Sequence, residues 1–197
     1  MIIPQAGDFC CVPVAGEVGV LIRLGEKLNG SAFSRYQHTE IYAGTDDEVM
    51  AVAEDVRIRT SLATTSQFGW TISAYPDGAK LVPLRCSPAE LPGASWSSDV
   101  IPLTTQQRHD IIVVALSLQG TPYGFVDYLA LALHHFHVND PALRRFITST
   151  KSMICSEFTD HCYTAAGVNL FTDGRWEGDV TPADLAQLIH ERESVMG

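Results

Sequence analysis

The sequence predicts an α+β fold, an antiparallel sheet packed against a helical half. Strand-like runs gather before residue 86, and capped runs of helical periodicity fill the chain after residue 104. Between them lies SPAELPGASWSSDV (87–100), whose Ser and Pro content reads as a surface loop joining the halves.

In chain order, GDFCCVPV (7–14) reads as a short strand running into a Pro-Val-Ala-Gly turn. EVGVLIRLGEKL (17–28) places Val18, Leu21, Ile22 and Leu28 on one side of a helix that ends near Asn29-Gly30. HTEIYAG (38–44) and EVMAVAEDVRIRTSL (48–62) are strand-rich, and the turn Thr45-Asp46-Asp47 between them predicts a hairpin. KLVPLRC (80–86) is a further strand. Past the loop, Thr104 or Thr105 caps a helix over 106–119 that Gly120 stops. Two more helices are predicted at 125–137 and, after Asp140-Pro141, at 141–150. SEFTDHCYTAAG (156–167) spaces Phe158, Cys162 and Ala165 or Ala166 as a helix does, with Gly167 as its stop. TPADLAQLIHER (181–192) opens with Thr181 as cap and Pro182 at the first helical position.

Composition narrows the classes of function. The 197 residues suffice for one domain spanning 1–197 with a real core. A net charge of −10 without a cluster of Lys and Arg argues against nucleic acid or an anionic membrane as partner. The longest apolar stretch, VDYLALALHHF, is too short to span a bilayer, so no stable membrane insertion is expected. Five irregularly spaced cysteines without a C-x-x-C pair speak against a disulfide framework and a closed zinc site. With no basic start and no long apolar run in MIIPQAGDF, a cytoplasmic location is expected; a protein exported by another route would read the same. His134-His135-Phe136-His137 has no second cluster at ligand spacing and reads as a solvated helix end. His161 and Cys162 read as helix surface and core.

Two residues carry the chemistry. Cys155 sits just before an apolar helix, where unsatisfied N–H groups and the positive end of the helix dipole favour a thiolate. His38 stands at the mouth of an apolar strand, where an imidazole can serve as base if an acceptor backs it. The helix start also offers N–H groups to a developing oxyanion. Two carboxylates can back His38. Glu54 lies opposite it if the hairpin turns at 45–47, and Glu40 shares its face because alternate strand residues point the same way.

Four segments together resemble a known family. Gly7-Asp8-Phe9, His38-Thr39-Glu40-Ile41-Tyr42-Ala43-Gly44, Gly120-Thr121-Pro122-Tyr123 and Cys155-Ser156 are similar to the G-D-φ, H-φ-G-I-Y-φ-G, G-x-P-Y and D-C-S segments of NlpC-type papain-like cysteine hydrolases (φ apolar), the superfamily of bacterial cell-wall peptidases. Their order resembles the circularly permuted branch, which includes lecithin retinol acyltransferase-like proteins. The resemblance implies a permuted papain-like fold, Cys155 as nucleophile, His38 as proton shuttle and Tyr123 as a hydroxyl donor near the oxyanion. It implies a peptide, peptidoglycan or acyl substrate and neither cofactor nor metal. The chain departs from the pattern at Ile154, where an Asp is usual, and at Glu40, where a small residue is usual. A gapless reading also puts Met50 where relatives carry the residue that orients the histidine.

The expected activity is hydrolysis of an amide through a Cys-His acyl-enzyme. Two alternatives stand beside it: a lipid-directed thiol acyltransferase or esterase with an apolar groove lined by the 125–137 helix, and a binding module whose triad is broken. Substrate identity and oligomeric state are not written in the sequence.

Overall fold

The computed structural model describes residues 3–14, 32–33, 35–124 and 153–196. The helices expected at 17–28, 125–137 and 141–150 and the His134-His135-Phe136-His137 cluster lie outside the described residues. The fold class is α+β: five antiparallel strands with helices packed against them.

The sheet consists of β1 (Phe9–Val12), β2 (His38–Gly44), β3 (Trp70–Tyr75), β4 (Gly78–Pro83) and β5 (Ser95–Trp96), in the order β4-β3-β2-β1-β5. Strand β2 is central: Phe9 of β1 stands opposite Ile41, and Ile72 of β3 opposes the same residue from the other side. Strands β3 and β4 form a hairpin whose register runs from Trp70↔Pro83 to Tyr75↔Gly78.

The hairpin expected between 38–44 and 48–62 does not form. Residues Asp46–Asp55 are a helix, α1. The Thr45 side chain accepts from the Glu48 backbone N–H, and the Glu48 carboxylate accepts from the Thr45 backbone N–H at 2.7 Å. Three acidic residues in the first turn favour the positive helix end. Val49 and Ala53, one turn apart, bury the inner face. Local capping thus outweighs the β-branched content of the run, and β3 takes the place beside β2. The 87–100 segment also differs from the expected surface loop. It turns inward as edge strand β5, with Cys10 opposite Trp96, and its Ser97 and Ser98 are buried.

Helix α2 (Thr105–Ser117) is capped by Thr104, α3 spans Cys155–Ala165, and α4 (Pro182–Met196) starts after Thr181, whose hydroxyl accepts from Asp184 N–H. Helix α3 lies against β2, β3 and α2. Phe9, Ile41, Ile72, Ile111, Phe158 and Tyr163 fill that interface and exclude water from it.

Polar groups lock the same layers in register. The Tyr163 hydroxyl donates to Gly7 O at 2.6 Å, tying α3 to the turn before β1. Asp8, 1 % exposed, accepts from Gln5 N–H and Ser98 Oγ and pairs with Arg108 of α2 at 2.7 Å. Removing one partner would leave an uncompensated buried charge. Gly7 has φ +93, and a Cβ there would meet the Arg108 backbone at 3.1 Å, so the approach of α2 requires glycine. No helix among the described residues is long and apolar enough to cross a membrane.

Candidate active site

Helix α3 begins with Cys155, and its N-cap is Ile154, which has no side-chain oxygen. Threonine hydroxyls accept from the first turns of α1, α2 and α4; at α3 the N-cap supplies no such bond. The Glu157 carboxylate accepts from the Ile154 N–H at 3.3 Å, while no N-cap side chain competes for the N–H groups of the first turn. Met153, two residues earlier, is strapped to the 120–124 segment: its N–H donates to Pro122 O at 3.0 Å, and Gly124 N–H donates to Met153 O. Gly120 and Thr121 bond in turn to Ala79 of β4. The sheet therefore fixes the helix start through the segment that carries Tyr123.

His38 is the first residue of β2, and the packing of β2 on α3 brings its imidazole close enough to Cys155 for each to shift the other's titration. Burial of Cys155 raises its thiol pKa, but the imidazole, its hydrogen bond and donors from the Thr39 N–H and hydroxyl outweigh that, so the thiol titrates below its ordinary value. Burial likewise disfavours a charged His38, yet the sulfur's charge, its hydrogen bond and Glu40 prevail and raise its pKa. The two shifts point in opposite directions, as a thiolate–imidazolium pair requires. Thr39, fully buried, has one hydroxyl proton and two acceptors in reach, the sulfur and Thr159 Oγ1 at 3.0 Å. Thr159 donates to Cys155 O, so the backbone and sulfur of Cys155 are both reached by the Thr39–Thr159 pair.

Behind His38, Nε2 is buried without a hydrogen bond and faces Glu40 Oε1 at 3.6 Å. The same Glu40 oxygen accepts from the Tyr75 hydroxyl at 2.6 Å. Tyr75 lies against the His38 ring, with centroids 4.8 Å apart. Tyr123 is half-buried; burial and the nearby Cys155 raise its pKa, so its hydroxyl keeps its proton and remains a donor beside the sulfur.

Cys155, His38, Glu40 and Tyr123 are thus brought together. Glu54 is not: it lies on α1, exposed, because residues 48–55 are helical rather than a strand opposite His38. Met50 is on the same helix, 37 % exposed, and occupies no position behind the imidazole. The neighbour on the adjacent strand is Tyr75. Sequence reasoning missed Tyr75 and Thr39. Thr39 immediately follows His38, and WTISAY (70–75) carries the aromatic and β-branched content of a strand.

No family model matches the chain, and no curated protein matches it.

Proposed function

We propose that this chain is a cysteine-dependent hydrolase that cleaves an amide through a thioester intermediate, in keeping with the circularly permuted NlpC-type resemblance. One observation carries the reading: a buried cysteine at a helix start stands by a histidine, and their pKa values are displaced in opposite directions, toward the ion pair. The sulfur of Cys155 attacks the carbonyl carbon, and the electron pair of the C=O bond moves to oxygen. The Cys155 backbone N–H and the Tyr123 hydroxyl are the donors available to that oxyanion. His38 gives its proton to the departing amine, and the C–N bond breaks to leave the acyl group on sulfur. Water then attacks the thioester with His38 as base, releasing the acid and the thiol. Glu40 supports the imidazolium in both steps, held by Tyr75.

The test is a screen of labelled peptides and acyl esters against the wild type and Cys155→Ala. Cleavage of peptides by the wild type alone, with an acyl adduct on Cys155 in mass spectrometry, is the expected result. Turnover of esters with no peptide turnover would move the reading to an esterase or acyltransferase. Alkylation of Cys155 by iodoacetamide no faster than an ordinary thiol, with no turnover of either class, would leave a binding module.

A further inference from the structure

Five residues after Cys155, about 140° around the helix, α3 presents a second functional group to a different space. Asp160 is 5 % exposed, and its Oδ1 is sealed from solvent without a hydrogen-bond partner. It lines a cavity of about 350 Å³ together with Glu177, Trp176, Phe171, Asn169 and Arg175. A buried carboxylate without a partner is costly. Burial first and Glu177 second push the Asp160 carboxyl up to about 6, while Arg175 and His161 oppose the rise.

Arg175 does not pair with Asp160. Its guanidinium is taken by Asp173 at 2.6 Å and Asp184 at 3.4 Å, and it lies over the Phe171 ring at 4.3 Å. His161 is bonded to Glu177 at 2.9 Å. Arg175 and His161 each already have a carboxylate partner, and Asp160 is left over. Trp176 forms a wall beside it, seated on Gly178, where even a Cβ would collide with the indole. A carboxylate beside an aromatic face is the chemistry that holds an organic cation.

We propose that this cavity binds the protonated amino group of a small alkylammonium compound, with Asp160 as counter-charge, Glu177 as second acceptor and the Trp176 face as wall. Among the described residues no group of three or more His, Cys, Asp or Glu side chains is placed to hold a metal ion. An aromatic wall also suits a weakly hydrated organic cation better than a hydrated divalent one. The site is separate from the Cys155 chemistry and does not depend on it.

The experiment titrates the whole protein with n-butylammonium and follows the Trp176 indole N–H by NMR, assigned with Trp176→Phe; n-butanol and magnesium serve as comparisons. Saturable movement of the Trp176 signal with n-butylammonium, and none with n-butanol, is expected. Asp160→Asn should weaken binding about tenfold, the loss expected for one charge-assisted hydrogen bond. Glu177→Gln should weaken it several-fold and serves if Asp160→Asn does not fold. No movement with n-butylammonium, equal movement with n-butanol, or unchanged affinity in the folded carboxamide variants would overturn the proposal. Magnesium producing the same shift in competition with n-butylammonium would overturn it too, as the mark of a metal site.

Discussion

Tyr75 and His38 stand ring against ring at one end of β2 and β3, and Tyr75 donates its hydroxyl to the Glu40 oxygen that faces His38 Nε2. Two side chains thereby stand behind the imidazole: Glu40 supplies charge, and Tyr75 fixes where that charge lies. Tyr75→Phe keeps the ring contact and removes the donor. Alkylation of Cys155, and turnover once a substrate is known, should fall about three- to tenfold, the value of one hydrogen bond, with circular dichroism unchanged.

Glu40 raises the His38 pKa, so Glu40→Gln should lower it. A thiolate–imidazolium pair requires a pH above the Cys155 pKa and below that of His38. The alkaline limb of a pH–rate profile should therefore move to lower pH in Glu40→Gln, while the acid limb moves less. Glu54→Gln, on the exposed face of α1, should leave both limbs in place. NMR titration of the His38 ring checks the same shift without a substrate.

His38→Ala removes the leading cause that lowers the Cys155 pKa. The midpoint of iodoacetamide alkylation at Cys155 should rise by about 1 pH unit or more, because an adjacent opposite charge is worth about 1–3 units. Cys162, fully buried on the same helix with its thiol pKa pushed up by burial and Glu177, should react in neither protein. An identical Cys155 profile with and without His38 would dissolve the pair.

Asp160 titrates at about 6 in the folded chain, against about 3.9 for an unfolded aspartate. Between those values the folded state holds a proton that the unfolded state has lost. Stability therefore falls as pH rises from about 4 to about 6 and stays lower above it. Asp160→Asn escapes that loss. Its Tm should exceed the wild type at pH 7 by about 2–4 °C, the effect of about 1 kcal/mol in a chain of this length, and converge with it near pH 4.

The strand at 38–44, the Thr104 and Thr181 caps and the helix after Cys155 were legible because each rests on local chemistry: alternating apolar residues, a side-chain cap, a glycine stop. Glu54 was misplaced because Val, Ile and Met in 48–62 suggest a strand, while Thr45 and Glu48, three residues apart, already spelled a capping box. Tyr75 could not be assigned without the sheet order, since its place beside His38 depends on β3 rather than 48–62 lying next to β2. Asp160 carries no signal in the sequence, and its isolation emerges only once Arg175 is seen paired elsewhere.

The Thr39–Thr159 hydrogen bond closes a span of 120 residues, and on the proposed reading the reactivity of Cys155 is born with that closure. During synthesis His38 emerges long before Cys155, and until the two meet the sulfur is an ordinary thiol, mostly protonated at neutral pH. Oxidants and adventitious electrophiles meet a poor nucleophile on the nascent chain. In the proposed mechanism only completed tertiary structure converts it to a good one. Chemical labelling of Cys155 is thus a clock for folding, and a chain arrested before α3 docks on β2 would remain intact but chemically silent.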